Sequence, residues 1–158
     1  MRGDLAVVRL AGKRKSWPDI FTGGGNSSST RVVADKWADS PSEGDRYCTG
    51  GAVAGEICDW DVAWGEAGIY TYTGPEPDEV ARRVWVGKKG GAYIQGGDSG
   101  GPVYTVKPDG KVLAKGIISG ASGFGGEDHF AGTLDRPCEN VFTDIHDASL
   151  AMPGDLSR

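Results

Sequence analysis

Glycine and proline punctuate this chain every few residues, 27 and 8 of them respectively, and between them lie only short runs of Val, Ile, Tyr and Trp. No stretch is both long and free of breakers, so a helical bundle is excluded and almost every element is expected to be a strand. The candidates are Leu5 to Leu10, Thr30 to Ala34, Ile57 to Trp64, Ile69 to Thr73, Val80 to Val86, Val103 to Val106 and Val112 to Ser119. Strands this short, at this spacing, point to an all-β closed barrel or sandwich. Only the tail departs from the pattern. There Thr143 or Asp144 is expected to cap a short helix through Ile145, Ala148, Leu150 and Met152, ended by Pro153-Gly154.

The charge balance narrows the partners. Seventeen basic against 22 acidic residues give a formal net charge of -5, with the two signs mixed along the chain. The basic footprint of a nucleic-acid binder is missing. No apolar run approaches the ~20 residues of a membrane-spanning helix, and Met1 to Leu10 lacks the apolar run of a signal peptide. Three cysteines, Cys48, Cys58 and Cys138, allow one internal disulfide and leave one thiol over. The Cys48 and Cys58 sulfurs with two scattered histidines do not make a zinc site.

One string carries chemistry: Gly96-Gly97-Asp98-Ser99-Gly100-Gly101-Pro102. A chance match to Gly-Asp-Ser-Gly-Gly-Pro in this length has odds on the order of one in a hundred thousand. Glycines on both sides of a serine let the backbone approach a ligand and turn its amide hydrogens inward, which an oxyanion hole for acyl transfer requires. The same residues fit the Gly-x-Ser-x-Gly elbow of the α/β-hydrolases, with the order Ser99, Asp144, His146. That elbow leads into a helix, whereas Pro102 and the alternating Val103 to Val106 lead into a strand, and no βα rhythm is present.

On these residues the sequence resembles the chymotrypsin-like serine peptidases, in particular their bacterial secreted, streptogrisin-like and α-lytic-like branch. The resemblance covers essentially the whole chain. It implies a chymotrypsin-like Greek-key β-barrel with a short C-terminal helix, in which 1–10 are the last strand of a first barrel, 11–29 an inter-barrel linker and 30–158 a complete second barrel. Ser99 takes the role of nucleophile and the amides of Gly97 and Ser99 that of the oxyanion hole. Ser119, Gly120 and Ala121, in Gly116-Ile117-Ile118-Ser119-Gly120-Ala121, resemble the strand that binds the substrate backbone and walls the specificity pocket. Cys48 to Cys58 resembles the branch's disulfide-closed hairpin, so a Cys48–Cys58 bridge is expected, contributing roughly 3 kcal/mol on the loop-entropy model. Asp4, directly before a strand, resembles the aspartate that orients the catalytic imidazole. Without the resemblance it is an ordinary solvated Asp.

The family's histidine lies upstream of its aspartate, and only three residues precede Asp4. His129 in the Gly125 to His129 loop and His146 on the expected helix have neither the motif nor the order, and loop and helix histidines are usually no more than that. A serine without its base is a poor nucleophile, so the chain as written is expected to be inactive alone. Three explanations stand side by side: the sequence is a fragment of a longer peptidase, it is a half-protein serving as a peptide- or protein-binding module, or it is complemented by a second chain.

Further consequences follow from the same resemblance. Tyr93 occupies the position, six before the nucleophile, where enzymes cutting after Lys or Arg carry an acid, so no basic preference is expected. Tyr93 is otherwise an ordinary barrel residue, and Glu127 or Asp128 are the acids that a neighbouring loop could bring to the pocket. Asp98 calls for a cation, with Arg46 beside the Cys48 hairpin the nearest candidate and a solvated Arg46 the alternative. Gln95 replaces a cysteine that the family often bridges to the Cys138 position, which leaves Cys138 as a small apolar filler or a thiol that has lost its partner. The implied protein is a secreted endopeptidase, monomeric when full length, acting on polypeptides and needing no metal or organic cofactor.

Overall fold

A computed structural model describes residues 16–71, 80–91, 93–122 and 138–151. The strands are β1 (Asp19–Phe21), β2 (Thr30–Lys36), β3 (Arg46–Gly51), β4 (Gly55–Thr71), β5 (Val80–Lys89), β6 (Pro102–Val106), β7 (Val112–Ser122) and β8 (Cys138–Asp144). They are followed by helix α1 (Ile145–Ala151). The expected strand Leu5 to Leu10 lies outside the described residues, as do the Pro153-Gly154 end of the helix and residues 123–137.

Six strands close on themselves. β3 pairs with β4, β4 with β5, β5 with β8, β8 with β7, β7 with β6 and β6 again with β3, every pair antiparallel. Closure gives each of the six strands a partner on both sides over part of its length, which limits the open edges that are the standing hazard of an all-β chain. The chain order within the ring is a meander β3-β4-β5, a crossing to β6, and a second meander β6-β7-β8. The crossing, residues 90–101, carries Asp98 and Ser99.

Two strands lie outside the ring. β2 runs parallel to the start of β7, with Val33 opposite Val112 and Lys36 opposite Ala114, and β1 pairs antiparallel with β2. The stretch 11–29, expected only to connect, therefore contributes an edge strand and a turn in which Thr22 N donates to Ser29 O at 2.9 Å.

The interior explains the pattern. Trp60, Val103 and Phe142 have no exposed surface and meet Tyr47, Val62 and Ile118 inside the barrel. Trp60 Nε1 donates to Thr49 Oγ1 at 3.1 Å, and Thr49 Oγ1 donates to Ile57 O at 3.3 Å, so the indole is buried with its polar tip satisfied. A second, smaller cluster of Val33, Cys48, Tyr104 and Val112 fastens β1 and β2 to the outside of the ring.

Two expected strands, Ile57 to Trp64 and Ile69 to Thr73, fall as far as Thr71 in one long β4, Tyr72 and Thr73 lying outside the described residues; its pairing with β5 shifts register between Val62 and Trp64, Trp64 and Gly68, and Gly68 and Ile69. The glycine-bearing interruption is absorbed as bulges rather than a turn. At the other end, Asp144 is the cap chosen for α1: its Oδ1 accepts from His146 N at 3.1 Å and its Oδ2 from Ser40 Oγ at 2.7 Å.

Candidate active site

The segment Gln95 to Gly101 is two tight turns in series. Asp98 N donates to Gln95 O and Gly101 N to Asp98 O, each at 3.0 Å. Their third positions are Gly97 (φ +101°) and Gly100 (φ +83°), backbone conformations that only glycine adopts without strain. Ser99 stands at the second position of the second turn, exposed.

The turns sort the amides. Those of Asp98, Gly100 and Gly101 donate to Gln95 O, Ile118 O and Asp98 O at 3.0, 2.8 and 3.0 Å. Those of Gly97 and Ser99 donate to no acceptor among the described residues. The two N–H groups expected to hold an oxyanion are thus, with that of Gly96, left open by the loop, and the Ser99 hydroxyl itself has no hydrogen-bond partner among the described residues.

Next to this loop, β7 changes neighbours. Gly100 N donates to Ile118 O at 2.8 Å and Ile118 N to Gly101 O at 2.9 Å. The pairing with β6 ends at Pro102 opposite Ile117, whereas the pairing with β8 continues through Gly120, Ala121 and Ser122. From Ser119 onward β7 has β8 along one side and no strand of the described residues along the other. Ser119 itself is buried at a register shift, its Oγ 3.1 Å from Thr143 Oγ1, so its hydroxyl is committed to β8. Ala121 and the half-buried Tyr93 both pack on the main cluster, which places the expected pocket residues against one core.

Asp98 corrects one expectation. Its carboxylate is 1% exposed and is held by main-chain amides: Oδ1 accepts from Val53 N at 2.8 Å and Ala54 N at 3.1 Å, and Oδ2 from Gln95 N at 2.8 Å. Arg46 does not reach it. The guanidinium, 70% exposed, lies 3.2 Å from Asp61, its register partner on β4, and 4.0 Å from Asp59. The offset of Arg46 along β3 turns it toward the facing strand's acids. Replacing Arg46 with Ala should change the unfolding free energy by less than about 0.5 kcal/mol, the range of exposed ion pairs. Urea denaturation checks this, and a loss of several kcal/mol would return Arg46 to a buried role.

The disulfide Cys48–Cys58 is present, and Cys138 is a buried member of the main cluster. Cys48, Glu56 and Cys58 bring three ligand-type atoms within 4.8 Å. Both sulfurs are spent in the disulfide, and Glu56 accepts from Tyr104 Oη at 2.6 Å and from Gly23 N at 3.3 Å, so this group does not form a metal centre. The Glu56 carboxylate and burial together push the Tyr104 phenol far above its ordinary value, burial contributing most.

Asp4, Glu127, Asp128 and His129 lie outside the described residues. His146 is on the first turn of α1, with a buried Nε2 that has no partner and no hydrogen bond to Ser99. Two features escaped the sequence. The hairpin amides of Val53 and Ala54 have no side-chain signature. Asn140, fully buried with both amide atoms unpartnered, stands opposite Ala121 between the inward Cys138 and Phe142. Its only trace in the sequence is a polar residue at a core-facing parity of a strand that was not anticipated.

No protein-family model matches the chain, and no curated protein matches it.

Proposed function

We propose that this chain carries the nucleophile half of a serine-type endopeptidase, with Ser99 attacking the scissile carbonyl and the Gly97 and Ser99 amides receiving the oxyanion. The alternation of satisfied and open amides around an exposed serine carries the assignment. It is the geometry that tetrahedral-intermediate stabilisation requires, donors fixed in place before charge develops. Ser119 to Ala121, beginning one residue past the contact between Ile118 and Gly100, are in this reading the strand segment along which an extended peptide substrate lies. The barrel's order supports a chymotrypsin-like Greek key, since β6 returns to lie beside β3 after the β3-β4-β5 meander.

The chemistry is acyl transfer. Ser99 Oγ forms a bond to the carbonyl carbon, its proton passes to a histidine, and the leaving amine takes that proton as the C–N bond breaks. Water then releases the acyl group by the same route. In this reading the histidine and the Asp4 that orients it belong to the first barrel, and the chain alone is inactive. Among the described residues, Tyr93 and the neutral amide of Asn140, which stands opposite Ala121, bring no acid for a basic side chain. The disulfide fits an oxidising, extracellular setting. A second reading, a peptide-binding module, is favoured by one observation: no described base stands at the Ser99 hydroxyl.

Peptidyl phosphonates bearing Phe, Leu or Lys at the recognised position separate the two. A chain extended at its N-terminus by the histidine-bearing segment should be labelled at Ser99 by the Phe and Leu probes. The 158-residue chain should react at least about a hundredfold more slowly, and Ser99→Ala not at all. Failure of every form to label assigns the protein to the binding class, and faster labelling by Lys overturns the specificity.

A further inference from the structure

The β3–β4 hairpin meets the nucleophile loop at its tip, and the contact is tighter than packing alone demands. Val53 N and Ala54 N, successive amides of the turn, converge on Asp98 Oδ1 at 2.8 and 3.1 Å, a main-chain anion nest. Gly51, paired with Gly55 at the turn, has no room for a side chain: a Cβ there would collide with the Asp98 carboxylate. On the other side of Asp98, a Cβ on Gly97 would stand 2.9 Å from Val53 Cγ2, so the tip also abuts the residue that offers the first oxyanion amide. No cation of the described residues shares this work.

The hairpin has one weak point in its register. Tyr47 faces Trp60 and Thr49 faces Ile57, so Cys48 stands opposite two residues, Cys58 and Asp59. Asp59 has φ +63°, a conformation that costs a non-glycine residue about 1 kcal/mol or more. A ladder without the bulge would relieve that strain, and it would displace Ile57 to Gly55 by one position against β3, carrying the tip amides away from Asp98. The Cys48–Cys58 bond crosses the bulge itself and forbids the slip.

We propose that the tip of the Cys48–Cys58 hairpin is the positioning element for the Gly97 and Ser99 amides, and that reduction of the disulfide releases it. The step is a two-electron exchange: a dithiol gives two electrons and two protons, the S–S bond breaks, two thiols form, and the dithiol closes to its own disulfide. The catalytic consequence rests on the assignment of Ser99 as nucleophile, whereas the coupling of hairpin to loop rests on the contacts alone.

The test is amide exchange of the intact chain with and without dithiothreitol, reduction being verified by the mass of two added hydrogens. Exchange at Val53, Ala54, Gly100 and Gly101 should accelerate at least about tenfold while β5 and β8 keep their protection. Unchanged exchange at those four amides in a verified reduced protein overturns the proposal. Should reduction unfold the whole barrel, selective release by reduction is overturned, and Gly51→Ala, which keeps the disulfide, tests the positioning by the tip on its own. It should loosen Gln95 to Gly101 selectively, whereas Gly24→Ala, with open space at its Cβ, should not; a loop as protected as in the parent overturns the proposal. In the extended chain, phosphonate labelling should fall in parallel. Local loosening with no labelling of any form leaves the clamp standing and removes the nucleophile.

Discussion

Lys115→Met should make the protein more stable at pH 7, by about 1–3 kcal/mol, and should abolish a rise in stability that the parent shows as the pH goes from about 7.5 to 9.5. Lys115 lies on β7 with no exposed surface, its Nζ 2.9 Å from the centre of the Trp37 ring and 3.3 Å from Asp45 Oδ2. Burial lowers its pKa from 10.5 to about 8, against the opposing pull of Asp45 and, more weakly, Asp144. The unfolded chain therefore binds more protons than the folded one between those values, and stability rises with pH through that window. The full span is worth about 3 kcal/mol. Above pH 10 the trend reverses, because unfolded tyrosines lose their protons while the buried phenols of Tyr47 and Tyr104 keep theirs. Urea titrations at pH 7, 8, 9 and 9.5 isolate the lysine. In Lys115→Met, Asp45 keeps the Ser42 amide at 2.8 Å and a side chain 30% exposed, so its carboxylate is not stranded. An equal pH slope in parent and variant would sink the account.

That lysine was illegible in the sequence, and the reason is general for this fold. β2, β5, β6 and β7 follow from runs of Val, Ile and Tyr between breakers, because strands of that composition suit a pleated, half-buried surface wherever they sit. β3 and β8 do not. Their buried positions include Cys48, Thr49, Gly50, Cys138 and Asn140, and the pairing partners that closure gives them, not intrinsic preference, make them strands. Lys115 is buried for a related reason: β2 covers β7 from outside the ring, so an alternating strand whose outer face should be wet is roofed by Trp37.

The candidate site divides along the same line. Ser99 with its flanking glycines is legible because close turns need glycine at fixed offsets, and Gly97 and Gly100 carry the positive φ values that this implies. The partner of Asp98 was not legible, because a carboxylate satisfied by main-chain amides leaves no complementary side chain to find. The opposite charge that a buried carboxylate calls for is nearest at Arg46, whose real partners face it across the β3–β4 ladder. Closure also explains why the loop between β5 and β6 is the one that matters. It must cross from one meander to the other, and in doing so it meets the hairpin tip through Asp98 and β7 at Ile118.

Asp98→Ala should be among the most damaging single changes in the molecule. It removes the acceptor of Val53 N, Ala54 N and Gln95 N at once, and buried donors left unmade cost about 1–3 kcal/mol each. With partial relief from water, the expected loss is about 3–5 kcal/mol, or a melting point lower by ~10 °C for a chain of this size. Asp98→Asn keeps one oxygen but turns an NH2 against N–H donors, so it should fall between parent and Ala. The discriminating measurement is a double-mutant cycle with Gly51. Alone, Gly51→Ala drives its new methyl into the Asp98 carboxylate, and the three atoms nearest to that methyl all belong to Asp98. In the Asp98→Ala background the carboxylate is gone and only its Cβ remains near, at 2.8 Å, so most of the penalty should vanish. The cycle should therefore be subadditive by at least about 1 kcal/mol. Simple additivity would mean that the hairpin and the Gln95 to Gly101 loop tolerate change independently, which the shared carboxylate does not allow.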